Sequence, residues 1–325
     1  MKNNKTSKVN NRNIFLTKDI EVLTSNGWKH VDQLNADDDI AILKNSILNF
    51  NKVISVMSQT YIGNSFLINN EFCEGILFPD NNYFHRQSIS GKTSITPFKT
   101  PKTLFFKNTF KWSPSVTSTL PQHLLQNDFI RFLTYYIKFG KIELLLNRQS
   151  TKSKITRRVR ISCKDEKSSQ EFATILTQFN KLLSFELDCR KKDLDFIICN
   201  NSLGLFLQNF GQQKCNFLTG DIKNLSVELL VVFVETLFSS KESRYFCENK
   251  KLAEDILEII LKSGRCGVLQ DAENGYIVKY FGKKDSGFKI NSSDIEELNF
   301  NGLVYNVETI NLPIFVRRNG KCYWL

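Results

Sequence analysis

The sequence predicts an α+β protein in which an all-β domain is interrupted by a helix-rich insert that repeats its own plan. Three observations predict it. Runs of β-branched and aromatic residues broken by Asn-Gly turns occupy both ends of the chain. Two apolar stretches of helical period, Phe129–Ile137 and Leu225–Phe238, lie about a hundred residues apart. Each is followed by strand-like and then helix-like segments, the mark of a pseudo-symmetric domain and not of a solenoid.

Residues 1–13 lack apolar periodicity and are expected to be a flexible basic tail. Phe15–Thr24, the Ser25-Asn26-Gly27 turn and Trp28–Val31 predict two short strands, and Ile40–Leu43 another. From Asn51 to Lys111, short β-branched and aromatic runs alternate with Asn, Gly and Pro, as in an all-β domain. A helix is expected over 123–143, with Gln126-Asn127-Asp128 as its cap and Gly140 closing its last turn. Thr151–Ser162 then reads as a strand, 168–183 as a helix, 193–199 as a strand and 202–210 as a helix. In the second round a helix over 225–238 is followed by a strand over 243–247, a helix over 249–263 and a strand over 275–281. Val304 to Leu325 closes the chain as a hairpin around Asn319-Gly320.

At 325 residues the chain can hold two or three domains. Its 44 Lys and Arg against 33 Asp and Glu leave a net charge of +11, which favours an anionic partner, nucleic acid before membrane. The eight cysteines (Cys73, Cys163, Cys189, Cys199, Cys215, Cys247, Cys266 and Cys322) form no CxxC pair and no ligand spacing with the three histidines. They read as reduced thiols with no metal. The polar N-terminus has no signal-peptide core, and no apolar run reaches 18 residues. A cytoplasmic location, or the interior of a virion, is therefore expected, with no membrane contact.

FLTKDIEVLTSNGWKHVDQLNADDDIAIL, starting at Phe15, and VYNVETINLPIFVRRNGKCYWL, starting at Val304, resemble the opening and closing blocks of inteins, the Hint fold. The resemblance implies one Hint domain made of residues 14–122 and 286–325. Intein splicing needs an N-terminal thiol or hydroxyl, an assisting His and a terminal Asn that cyclises. Phe15 stands at the nucleophile, Lys99 at the His of the TPxH block (here Thr96-Pro97-Phe98-Lys99), and the sequence stops at Leu325 before the terminal pair. No splicing is expected.

Within the insert, 123–285, the stretches LTYYIKFG (Leu133–Gly140) and FVETLFSSKE (Phe233–Glu242) resemble the helix pair of LAGLIDADG homing endonucleases, with repeats over 127–215 and 225–285. That family implies an αββαββα repeat, two helices packed at small residues and an acid at each helix end to hold Mg²⁺. Here Thr134 and Thr236 occupy the packing positions, while Phe139 and Lys241 replace the acids. A phenyl ring cannot ligate Mg²⁺ and an ammonium repels it, so no catalytic residue and no cofactor are expected. Glu242 is the one displaced carboxylate, and Mg²⁺ would matter only to a residual nuclease.

The family implies DNA contact through its sheets. In TKSKITRRVRIS, period-two alternation sends Lys154, Thr156, Arg158 and Arg160 to one face, and Ile155, Val159 and Ile161 to the other with Arg157. Residues 138–162 hold eight cations against Glu143 alone. The candidate nucleic-acid set is Lys138, Lys141, Lys152, Lys154, Thr156, Arg157, Arg158, Arg160, Arg190, Lys191, Lys192, Lys241, Lys250 and Lys251. The expected function is a catalytically inactive, domesticated relative of these proteins that binds DNA or RNA, monomeric by itself. A structural or assembly subunit of a virus particle or large complex, using the scaffold for protein contacts, is the rival reading, and a residual Mg²⁺-dependent endonuclease the third.

Overall fold

A computed structural model describes residues 12–79, 81–86, 94–97, 103–106, 109–114, 126–147, 154–183, 187–238, 242–282, 287–310 and 313–325. Helices and antiparallel sheets share the chain, so its class is α+β. Its residues cluster into two compact units. One comprises Met1–Trp112, Gly264–Val268 and Phe281–Leu325, the other Ser113–Ser263 and Leu269–Tyr280.

The first unit begins with β1 (Arg12–Thr17), β2 (Glu21–Thr24), β3 (Gly27–His30), β4 (Asp39–Lys44), β5 (Ile47–Asn69) and β6 (Glu74–Leu77). After these come β7 (Asn82–Arg86), β8 (Ser94–Pro97) and β9 (Thr103–Phe106). Turn residues in this stretch predict short strands, yet β5 runs unbroken for 23 residues. Its partners explain the length: β4 pairs with its first part, and a late strand pairs with most of the rest. Cross-strand bonding overrides the weak strand preference of Asn49, Asn51, Gly63 and Asn64.

The second unit opens with α1 (Asn127–Phe139), followed by β10 (Gly140–Asn147), β11 (Lys154–Ser162), α2 (Glu166–Leu182), β12 (Cys189–Lys192), β13 (Asp195–Ile198) and α3 (Asn201–Leu207). The helix expected to reach residue 143 thus ends at Phe139. Gly140 turns the backbone to an extended φ of −90° and ψ of 150°, and a Cβ there would lie 2.2 Å from the Tyr136 ring. The order up to α3 is αββαββα, with sheet order β10-β11-β13-β12. Asp165 caps α2, its side chain accepting from Ser168 N at 2.8 Å.

A short helix, α4 (Gly220–Lys223), leads to α5 (Val227–Leu237), β14 (Arg244–Cys247), α6 (Lys250–Lys262), β15 (Cys266–Ala272) and β16 (Gly275–Gly282), whose three strands order as β14-β16-β15. The second round is therefore αβαββ among the described residues, and the full αββαββα plan expected of it is corrected. α1 packs against α2 and α5, and α5 against α6. Phe129, Phe132, Tyr136, Phe172 and Phe179 are fully buried, Phe132 stacking on Phe179 at 4.4 Å. Burial of such rings contributes about 1.5–3 kcal/mol each.

The chain closes in the first unit with β17 (Phe288–Asn291), β18 (Ile295–Thr309), β19 (Phe315–Arg318) and β20 (Lys321–Trp324). One sheet there runs β1-β18-β5-β4-β2-β19-β20, with β3 added on β2 and β6 on β5, and another runs β17-β9-β7-β8. Chain start and chain end meet in register, Phe15 opposite Asn306 and Val316 opposite Val22. Ile14, Val22, Ile42, Val307 and Val316 are fully buried at this junction.

Candidate nucleic-acid interface

Strand pairing in the first sheet of the second unit decides which cations share a face. Lys141 stands opposite Arg160, Glu143 opposite Arg158 and Leu145 opposite Thr156. Arg160 is in turn opposite Ile197, and Ile197 opposite Arg190, while Asp195 faces Ser162 on one side and Lys192 on the other. Since side chains alternate along a strand, one face carries Lys141, Glu143, Thr156, Arg158, Arg160, Asp195, Arg190 and Lys192. Val159, Ile161, Phe196 and Ile198, buried, point to the helices.

Two acids stand inside this cationic face, a feature that the cation count alone does not reveal. Arg158 Nε donates to Glu143 Oε2 at 2.5 Å. Arg160 Nε lies 2.9 Å from Glu143 Oε1, at ion-pair range though not aimed for a hydrogen bond, and its Nη1 donates to Asp195 Oδ2 at 3.2 Å. Lys141 Nζ is 3.5 Å from Glu143. Burial pushes the Glu143 carboxyl up, but the Arg158 hydrogen bond and the charges of Arg158, Arg160 and Lys141 outweigh it and hold the group below the usual glutamate range. The result is a charge ladder, Arg158–Glu143–Arg160–Asp195, lying across three strands.

Several predicted cations stand elsewhere. Arg157 turns to α3, its Nε donating to Gln208 Oε1 at 2.6 Å and its Nη1 to Asn201 Oδ1 at 3.3 Å. Lys191 sits over the Phe196 ring at 5.6 Å and 3.8 Å from Glu166, also off the Arg158 face. Lys250 and Lys251 pair along α6 with Glu254 at 4.0 Å and Asp255 at 3.1 Å. Lys154, unlike these, keeps its expected place on β11, in register with Asn147 and two residues from Thr156. Lys99, Lys152 and Lys241 fall outside the described residues.

Lys138 is turned inward, with a side chain 11% exposed. Its Nζ donates to Leu237 O at 3.1 Å, capping the C-terminal end of α5, and reaches Glu242 at 3.4 Å. Lys164, absent from the predicted set, pairs with the other Glu242 oxygen. The Lys164 hydrogen bond lowers the Glu242 carboxyl; partial burial opposes this, and the Lys138 and Lys164 charges reinforce it. Phe139 packs its ring 5.7 Å from Tyr135, under Lys138 Nζ at 5.4 Å.

This corner does not fit a divalent metal, since its carboxylate is already neutralised by two ammonium groups and its neighbour is a phenyl ring. The cleft beside it, about 660 Å³, is lined by Arg131, Lys138, Lys164 and Lys167 and equally by Asp165, Glu171, Glu235 and Glu242. Balanced charge gives it no preference for an anion.

Thr134 is fully buried in α1, and Thr236 half-buried in α5. Each hydroxyl donates to the carbonyl four residues back, Ile130 and Val232, at 2.7 Å. A second patch went unread in the sequence: Arg244 of β14 pairs in register with Lys279 of β16, and Phe246, 50% exposed, with Ile277. Their alternation in RYFC and GYIVKYFG was the available signal.

In the first unit, Phe15 is held by its backbone. Its N–H donates to Asn81 Oδ1 and its carbonyl accepts from Asn81 Nδ2, both at 2.9 Å, with Asn81 buried. The ring lies 6.4 Å from Tyr61 and from Phe78. Compared with known proteins, the chain matches no protein-family model and no curated protein. Among the described residues, no helix is long and apolar enough to cross a membrane.

Proposed function

We propose that the protein is a catalytically inactive relative of intein-borne LAGLIDADG endonucleases that binds nucleic acid. The observation that carries this reading is the solvent face of the first sheet, where Lys141, Arg158, Arg160, Arg190 and Lys192 converge. Pairing of the chain's two ends in one sheet, the αββαββα order up to α3 and the packing of α1 on α5 support the proposed ancestry. Phe15 has no nucleophilic atom, Phe139 has no metal-binding atom, and Glu242 is paired with two lysines, which speaks against metal-assisted hydrolysis through these residues. In this reading, affinity comes from counterion release by the cations of the face and falls steeply with salt. Changing Arg158 and Arg160 together to Glu should lower affinity for nucleic acid by a factor on the order of a hundred at low salt and flatten the salt dependence. Unchanged binding in that double variant, measured by fluorescence anisotropy, would sink the reading.

A second reading, a protein-contact subunit of a larger assembly, has its own observation. On the paired strands β5 and β18, Met57, Ile62 and Leu303 are 56%, 75% and 48% exposed. Apolar side chains presented to solvent in this way suit a protein partner. If the chain binds no nucleic acid and loses its place in a native complex when Ile62 and Leu303 become Thr, this second reading replaces the first.

A further inference from the structure

We propose that the first unit modifies itself, joining the side chains of Lys321 and Asn69 in an isopeptide bond with Glu74 as the proton carrier. The three groups that this chemistry needs, an amine, a carboxamide and a carboxyl, meet there. Lys321 Nζ donates to Asn69 Oδ1 at 3.1 Å and to Glu74 Oε2 at 3.0 Å. The other carboxylate oxygen of Glu74, Oε1, accepts from Asn319 Nδ2 at 2.5 Å, which fixes the carboxylate in place. An amine held at hydrogen-bond range of both a carbonyl and a base is the arrangement of an activated nucleophile. None of these residues belongs to the cationic sheet face.

Two tight turns bring the groups together. Asn69 ends β5 and Glu74 begins β6, opposite each other in the antiparallel pair, so their side chains share a face. Asn70 braces the turn between them, its Oδ1 accepting from Phe72 N at 2.9 Å and Cys73 N at 2.8 Å. Lys321 opens β20 directly after Asn319 and Gly320, which turn the chain with φ of 47° and 74°. Gly75, next to Glu74, makes room for Tyr323, two residues from Lys321: a Cβ there would lie 2.0 Å from the Tyr323 hydroxyl. Cys73, Cys322 and Tyr323 are buried, and the side chains of Lys321 and Glu74 keep only 15% and 16% of their surface. Water has little access to the amine, while exposed Asn69 opens the leaving nitrogen to solvent. Holding amine and amide in place replaces the entropy that free partners would lose.

In the step itself, Glu74 takes a proton from the Lys321 ammonium and the amine attacks Cγ of Asn69. The Nζ–Cγ bond forms and the Cγ–Nδ2 bond breaks. Of the three protons on Nζ, one stays on the new amide and two pass by way of Glu74 to the leaving nitrogen. That nitrogen departs as ammonium, the carboxylate is regenerated, and charge balances with no oxidant or co-reactant. The bond joins positions 252 apart in the sequence, so residues 113–263 of the second unit lie inside a covalent ring. A ring of this kind restricts the unfolded chain, so the joined form resists denaturation more than the open one.

The test is the intact mass and peptide map of the purified full chain after incubation at neutral pH. Its mass should lie below the sequence value by one ammonia, and digestion should release a species in which the Asn69 and Lys321 peptides are joined. Lys321→Arg keeps the cation and Glu74→Gln keeps the shape of the carboxyl. Each should show the full mass with an unchanged circular dichroism spectrum, and each should unfold at a lower temperature than the joined parent. If a variant does not fold, the mass and map of the parent chain still decide. A parent chain that keeps its full mass, or a joined peptide in Glu74→Gln, overturns the inference. Loss of ammonia without a joined peptide marks cyclisation at an Asn-Gly pair such as Asn274-Gly275 and overturns it as well. None of these outcomes bears on nucleic-acid binding, which stands or falls by its own measurement.

Discussion

Glu242 shows how its neighbours set the role of one side chain. At the end of α1 this chain places Lys138 beside Phe139 and lets Lys164 and Lys138 share Glu242. The pair of contacts acts as a strut, since Lys138 also caps α5. Because the folded-state pKa of Glu242 lies below its ordinary 4.5, its stabilisation is fully present above that value and is lost as pH falls through the folded pKa. In Glu242→Gln, the loss of urea resistance on going from neutral pH to below about 4.5 should therefore be smaller than in the parent chain. An identical acid dependence in the two proteins would show that the strut contributes nothing. With no nucleophilic atom at Phe15, no metal-binding atom at Phe139 and Glu242 paired with two lysines, neither Mg²⁺ nor EDTA should alter the protein's effect on DNA. Mg²⁺-dependent nicking abolished by Glu242→Gln would restore the enzyme reading.

Among the elements, α3 backs β11, the strand that carries Arg158 and Arg160. Gly204 of α3 lies so close to β11 that a Cβ would sit 2.6 Å from Arg157 Cβ. Alanine gains about 1 kcal/mol of helix propensity, whereas forcing two Cβ atoms apart costs about 1–3 kcal/mol. Gly204→Ala is therefore expected to destabilise the chain by up to about 2 kcal/mol, read as a lower urea midpoint. A higher midpoint would mean that α3 is free to shift. Element by element, α1, α5, α6 and β11 were legible because their periodicity is local. The strands β10, β12 and β15 were not. β10 continues the apolar run of α1, and only Gly140 breaks it. β12, CRKK, reads as a charge run because it is an exposed edge strand.

For the whole molecule, a net charge of +11 predicts affinity for polyanions, but the arrangement of charge decides what is recognised. The alternation of TKSKITRRVRIS places Arg158 and Arg160 on one face of one strand, since that periodicity is a property of any extended chain. Local sequence likewise determined the α+β class and the absence of a nucleophilic or metal-binding atom in the side chains of Phe15 and Phe139. Tertiary structure alone decided that Glu143 and Asp195 stand between the arginines, that Lys138 and Lys191 leave the face, and that Arg244 and Lys279 form a second cationic pair. For the strand residues, those placements depend on which strand lies beside which and in what register, and a shift of one residue would turn them to the opposite face; for Lys138 they depend on the packing of α1 on α5. Pairing between segments distant in the chain sets that register, so no stretch read by itself contains it.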